Sequence, residues 1–217
     1  MKVEIWSDVV CPWCYIGKRR FEKALAEFSQ ESDEEVEVVF RAFMLDPTAP
    51  LEAKPVQEVY EKKFGGPEAA QQIFDRVTSE AAGEGLDFRM DIAQRANTLS
   101  AHRLLVLAER EDRQIALKER LMQAYFTEGA DIGDHERLVG YAEEVGIDGE
   151  TARAWLQGDG GREEVADSLE FAAANGLASV PTYVFDRRVA VPGAQPAEVF
   201  ARIMAKVSET DGPEQLD

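Results

Sequence analysis

Two cysteines lie three positions apart in the segment Cys11-Pro12-Trp13-Cys14, and they are the only two in this 217-residue chain. At the start of a helix this spacing puts both side chains on one face, within the Cα separation a disulfide needs. A bridge closing so short a ring is strained and readily reduced, the property of a working disulfide rather than a structural one. A cysteine in the first turn faces unpaired backbone N–H groups and the positive end of the helix dipole. The Cys11 thiol is therefore expected to have a lowered pKa and to be the attacking group. Cys14, one turn further in, is expected to be less exposed and to resolve the mixed disulfide that Cys11 forms. Pro12 suits a first helical position because its missing N–H would be unpaired there anyway. Trp13 is expected at the rim, where it would shape a docking surface. Two other readings compete. A zinc half-site would need four ligands, and beyond the cysteines only His102, His135 and carboxylates at no matching spacing remain. A pair of inert buried thiols fits poorly with a proline and a tryptophan between them at a strand-to-helix junction.

The elements that must hold this pair follow from periodicity. Residues 2–6 alternate as a strand does, and Ile16, Phe21, Leu25 and Phe28 recur at helical spacing after Cys14. The β-branched run at 36–40 closes a βαβ unit. From 52 to 159 the sequence shows helical periods punctuated by glycines and no convincing strand, the clearest helix running over 98–109 and others near 115–126 and 135–145. Residues 162–175 read as a helix ended by Asn175-Gly176, 180–185 and 189–191 as a hairpin about Asp186-Arg187-Arg188, and 196–207 as a closing helix. The tail from Ser208 to Asp217 reads as polar and frayed. A βαβ unit at the start and an αββα unit at the end make an α/β, thioredoxin-like layout carrying a large all-helical insertion. Residues 1–50 and 160–217 are assigned to the thioredoxin-like domain and 51–159 to the inserted helical domain.

Composition limits the partners. Hydrophobic residues make up 45% and aromatics 9%, as in globular proteins, while 42 acidic against 24 basic residues leave a net charge of −18. Nucleic acid and anionic membranes are poor partners for such a surface. Salt adaptation would give the same numbers as ordinary well-solvated acidic faces, and the second reading is preferred. No stretch approaches the ~20 apolar residues of a membrane helix. With the first strand beginning at Lys2, the expected location is the cytoplasm.

The segment from Ser7-Asp8 through Cys11-Pro12-Trp13-Cys14 to Gly17 resembles the DsbA family, specifically its FrnE-like branch. Asn97 through Leu104, Tyr125-Phe126 with Asp131-Ile132, Val180-Pro181-Thr182 and Gly193-Ala194-Gln195 extend the similarity over nearly the whole chain. The resemblance implies helices covering the active site and a cis proline at Pro181 facing the cysteines. Val180, Pro181 and Thr182, with Pro12 and Trp13, would then bind an extended substrate segment by edge-strand pairing. Ser179 stands where relatives commonly have glycine, and Pro192 where a small polar residue is frequent. His102 and Asn97 match the motif. A half-buried histidine and a helix cap are the simpler roles for them, with substrate contact by His102 the alternative. Phe43, Met44 and Leu45 are assigned to the core rather than to a groove.

The leading expectation is a thiol–disulfide oxidoreductase acting on protein or small-molecule disulfides, with no cofactor or metal and with glutathione as a conceivable co-substrate. Its direction is open, the cytoplasm tilting it toward reduction or isomerisation. A glutathione-dependent isomerase or transferase is the alternative, disfavoured by the second thiol, and a non-enzymatic holdase or binding module is a third. The chain is expected to be a monomer or homodimer.

Overall fold

Strand β1 (Lys2–Ser7) begins the computed structural model, which describes residues 1–209. It runs parallel to β2 (Glu37–Ala42), and the crossover that parallel pairing requires is α1 (Pro12–Glu31). The segment 51–159 follows, with β3 (Lys54–Pro55), α2 (Val56–Phe64), α3 (Pro67–Gly83), β4 (Gln94–Arg95), α4 (Leu99–Arg110), α5 (Gln114–Glu128), α6 (His135–Glu144) and α7 (Gly149–Gln157). Then come α8 (Arg162–Ala174), the hairpin β5 (Thr182–Phe185) and β6 (Val189–Pro192), and α9 (Ala197–Glu209). The sheet order β2-β1-β5-β6 joins the two ends of the chain in one sheet. Of the tail, Ser208 and Glu209 belong to α9, and 210–217 lie outside the described residues.

Alternation along the strands explains how the sheet is covered. Val3, Ile5, Tyr183 and Phe185 bury one face beneath Phe21 and Phe28 of α1 and Phe200 and Met204 of α9. Trp6 and Val184 point the other way, against α8, where Trp6 stacks on Phe171 and donates Nε1–H to the Ser168 carbonyl at 3.0 Å. The hairpin turns through Asp186 and Arg187, both at positive φ.

The insertion is not wholly helical. Lys54-Pro55 and Gln94-Arg95 form a two-residue antiparallel ladder, too short to show an alternating pattern and therefore invisible to periodicity. Strand β5 begins two residues later than the sequence suggests, directly after the cis Val180–Pro181 bond. Met44 is buried, whereas Leu45 is 49% exposed, so the core assignment fails for the leucine. The Leu45 backbone N–H donates to Asp8 Oδ2, which fixes the backbone there and turns the side chain outward.

Helix α5 also seals the open edge of β2. The Gln114 carboxamide accepts from Phe40 N–H at 2.8 Å and donates to the Phe40 carbonyl at 3.0 Å, pairing the backbone as another strand would.

Glu4, on the α8 side of β1, is 2% exposed and held by Arg41 and Arg187, each at 2.9 Å. Burial favours its neutral form, but the hydrogen bonds from Arg187 and Arg41 outweigh this and keep the carboxyl below its usual range. The stability it contributes is complete above the unfolded value of about 4.3 and is lost as the pH falls through the lower folded value. Glu4→Gln is accordingly expected to destabilise the protein at neutral pH. Denaturant midpoints of variant and wild type should converge as the pH drops below about 4; a constant gap across the acid range would contradict this.

Candidate active site

The loop from Asp8 to Cys11 turns β1 into α1, with the Cys11 N–H donating to the Asp8 carbonyl at 3.3 Å. Cys11 is the N-cap of α1 and Pro12 its first residue, so the first thiol sits at the helix end and not within the first turn. Its carbonyl accepts from the backbone N–H groups of Cys14 at 3.0 Å and Tyr15 at 3.4 Å, which places Cys14 one turn below on the same face. Both thiols are free, and they are nearly equally buried, at 4% and 2% exposure, rather than clearly graded. Tyr125 and Phe126 of α5 belong to the apolar cluster that surrounds them, so the helical segment covers the pair.

The cis Val180–Pro181 bond lies opposite. The Cys11 thiol reaches the Val180 carbonyl at 3.7 Å, and the Pro181 carbonyl accepts from Gly193 N–H at 2.7 Å. Thr182 is buried and donates its hydroxyl to the Ser179 carbonyl at 2.7 Å. Gly17 of α1 makes room for this segment. A Cβ there would meet the Tyr183 hydroxyl at 2.7 Å and Pro181 Cγ at 3.1 Å. Pro12 is buried, whereas Trp13 is half-buried beneath the Arg76 guanidinium, as a residue at the rim would be.

Electrostatics couple the two sulfurs into one titrating pair. The hydrogen bond between the sulfurs, burial and the charge of Asp8 push the Cys11 thiol well up. Burial also opposes ionisation of Cys14, but the hydrogen bond from Cys11, the Lys118 ammonium and the Asp8 backbone N–H together bring it below its usual value. The pair therefore gives up one proton easily and holds the second, and the two sulfurs titrate as a unit.

His102 is 2% exposed, not half-buried. Its Nε2 lies 3.2 Å from Asp8 Oδ1, so it meets the loop leading to the cysteines from beneath. Asn97 Oδ1 accepts from Leu99 N–H at 3.0 Å, just ahead of the N-cap Thr98, while its Nδ2 holds the Ala49 carbonyl. Two buried residues at the site were given no role from the sequence. Asp8 entered only as part of the segment that carries the family resemblance. Lys118 left one trace, since it falls on the apolar face of α5 with Leu121, Met122 and Tyr125, where a solvated lysine has no place. Among the described residues, no group of three or more His, Cys, Asp or Glu side chains could hold a metal ion.

The DSBA-like thioredoxin domain matches residues 2–205. The chain belongs to this family. A probable DsbA oxidoreductase from Streptomyces coelicolor is 40% identical to it, with a TM-score of 0.91 over 100% of this chain and 94% of that one. The uncharacterised Bacillus subtilis protein YwbO is 27% identical over 94% of this chain and 95% of its own length. The cytosolic disulfide reductase DsbM from Pseudomonas aeruginosa shares the fold, with a TM-score of 0.69 at 17% identity over 97% of this chain and all of DsbM. In this DsbA-like protein, among the described residues, no helix is long and apolar enough to cross a membrane.

Proposed function

We propose that this DsbA-like protein, placed by its motifs in the FrnE-like branch, exchanges disulfides with protein or small-molecule partners through Cys11 and Cys14. The observation that carries the reading is the pair itself: two free thiols at a helix start that share a proton opposite a cis proline. As a disulfide approaches, the inner thiolate takes the Cys11 proton, and the Cys11 sulfur attacks and expels the partner's thiolate. The Cys14 proton then passes to that leaving sulfur, and the Cys14 thiolate attacks the Cys11 sulfur and displaces the other partner sulfur, leaving Cys11–Cys14 bridged and the partner as one thiol and one thiolate, which solvent protonates. The backbone at Val180 and Thr182 would hold an extended segment beside Cys11, a mode that reads little sequence.

The direction proposed is reduction or isomerisation in the cytoplasm, which the cytosolic reductase DsbM of the same fold supports. Glutathione is a fitting small partner. DsbM has been crystallised with it, and a cleft of about 160 Å³ beside the loop that leads to Cys11 is lined by Tyr60, Tyr125 and Lys63 together with Asp8, Asp46 and the Arg95 that pairs with Asp46. Equilibration with glutathione buffers, followed by quantifying the Cys11–Cys14 bridge, tests the proposal, with insulin reduction as the companion assay. The pair is expected to cycle fully between bridged and free forms and to accelerate insulin reduction. Thiols that never bridge would end this reading.

A further inference from the structure

Lys118 is an ammonium with 0% exposure, placed by α5 against the end of β1. Its Nζ donates to the Ser7 carbonyl at 3.4 Å and lies 5.4 Å from the centre of the Phe40 ring. Among the described residues no carboxylate comes within 4.0 Å of it, although every other buried cation near the site has a closer acceptor: Lys18 pairs with Glu22 and Glu119. An enclosed charge with one weak carbonyl contact is expensive unless an anion compensates it. The candidates around it can be named element by element. The β1–α1 loop supplies Asp8, whose oxygens are engaged by His102 and the Leu45 N–H. Helix α1 supplies Cys11, Cys14 and the like-charged Lys18, and α4 supplies His102. Behind Lys118 a cavity of about 270 Å³, shared with His102, is edged by Arg41, Glu109, Arg110 and Glu164.

We propose that Lys118, carried under the cysteine pair by the inserted helices, is the positioning residue that holds the reduced pair as a thiol–thiolate with a single negative charge. The inference rests on the redox reading above. It gives the insertion a chemical role beyond covering the site. Burial lowers the Lys118 pKa to about 8, while the sulfurs and Asp8 pull it back up, so it remains charged at neutral pH. Reduction then balances as one disulfide, two electrons and one proton giving one thiol and one thiolate. When the bridge forms, the pair no longer offsets the ammonium. Lys118 therefore favours the reduced form and makes the bridge the better oxidant.

The test compares Lys118→Met with Lys118→Gln, the second keeping a donor for the Ser7 carbonyl. In both, the thiolate absorbance of the reduced pair is expected to titrate roughly one to three pH units higher than in wild type. The equilibrium constant against glutathione should move at least tenfold toward the bridged form, about 30 mV in potential. Thermal unfolding separates this from mere support of the fold. Relative to wild type, the reduced variants should lose stability while the bridged variants hold or gain it, whereas a structural role would lower both alike. Wild-type potentials give an independent measure. Above the first thiol pKa they should fall by about 30 mV per pH unit, and a slope of about 59 mV, the two-proton value, across neutral pH would refute the charged pair. Variants that cycle with wild-type titration and potential overturn the role of Lys118 and leave the oxidoreductase intact. A wild-type pair unable to cycle overturns the functional reading itself.

Discussion

Cys11→Ser is expected to abolish disulfide exchange, whereas Cys14→Ser should capture its partner and fail to let go. A serine hydroxyl beside a buried sulfur has no comparable thiolate to offer. Insulin reduction by the Cys11 variant should therefore fall by about three orders of magnitude, to the uncatalysed background. Without the inner sulfur, Cys11 loses both the group that accepts its proton and the group that resolves the adduct. Cys14→Ser should accumulate a mixed disulfide with glutathione or with a peptide, read as a mass increase that reductant removes. Its turnover should be near background as well. The result that would reverse the assignment is a Cys14→Ser protein with full turnover, because one-thiol chemistry belongs to the glutathione-dependent isomerase alternative.

The largest expected effect on stability lies away from the sulfurs, at Arg103. This guanidinium is 1% exposed and makes no ion pair among the described residues. It donates instead to four backbone carbonyls, those of Gly160 at 2.7 Å, Leu156 at 3.2 Å, Trp155 at 2.7 Å and Gly158 at 2.6 Å. The return contact is a hydrogen bond from Trp155 Nε1 to the Arg103 carbonyl at 2.9 Å. The end of α7 and the glycine turn into α8 are thereby tied to α4. Gly161 needs its positive φ and lacks room for a Cβ, which would lie 2.9 Å from the Arg103 carbonyl. Arg103→Met fills similar space but leaves several buried carbonyls unpaired, at about 3–5 kcal/mol. That corresponds to a Tm roughly 10 °C lower for a chain of this size. Arg103→Lys should rescue little of it, since a single ammonium cannot reach four acceptors spread around a planar fork. Thermal melts of the three proteins decide the matter, and a loss under about 1 kcal/mol would show that water replaces the fork.

These residues mark how far a sequence can be read. The cysteine pair was legible because a two-residue gap before a helical period favours redox chemistry over a zinc half-site that lacks further ligands, and Pro12 signalled where that helix begins. The sheet was legible because Val3, Ile5, Tyr183 and Phe185 alternate with Glu4, Trp6 and Val184, a pattern that survives without knowledge of neighbours. Helix α7 and the ladder of Lys54-Pro55 with Gln94-Arg95 were not, since a short element among glycines carries too little periodicity. His102 stood out by type, yet its burial and its bond to Asp8 depend on how α4 packs against β2 and the loop after β1, and no local pattern encodes that packing.

The flanking βαβ and αββα units and the spacing of Cys11 and Cys14 at a strand-to-helix junction are local properties, and the sequence alone determined them. How readily the pair gives up its first proton is different in kind. It depends on the distances of Lys118, Asp8 and the Cys14 backbone environment from two atoms on another element, and charge interactions follow distance in space, not along the chain. Only the packing of α5 against β1 and α1 decided it.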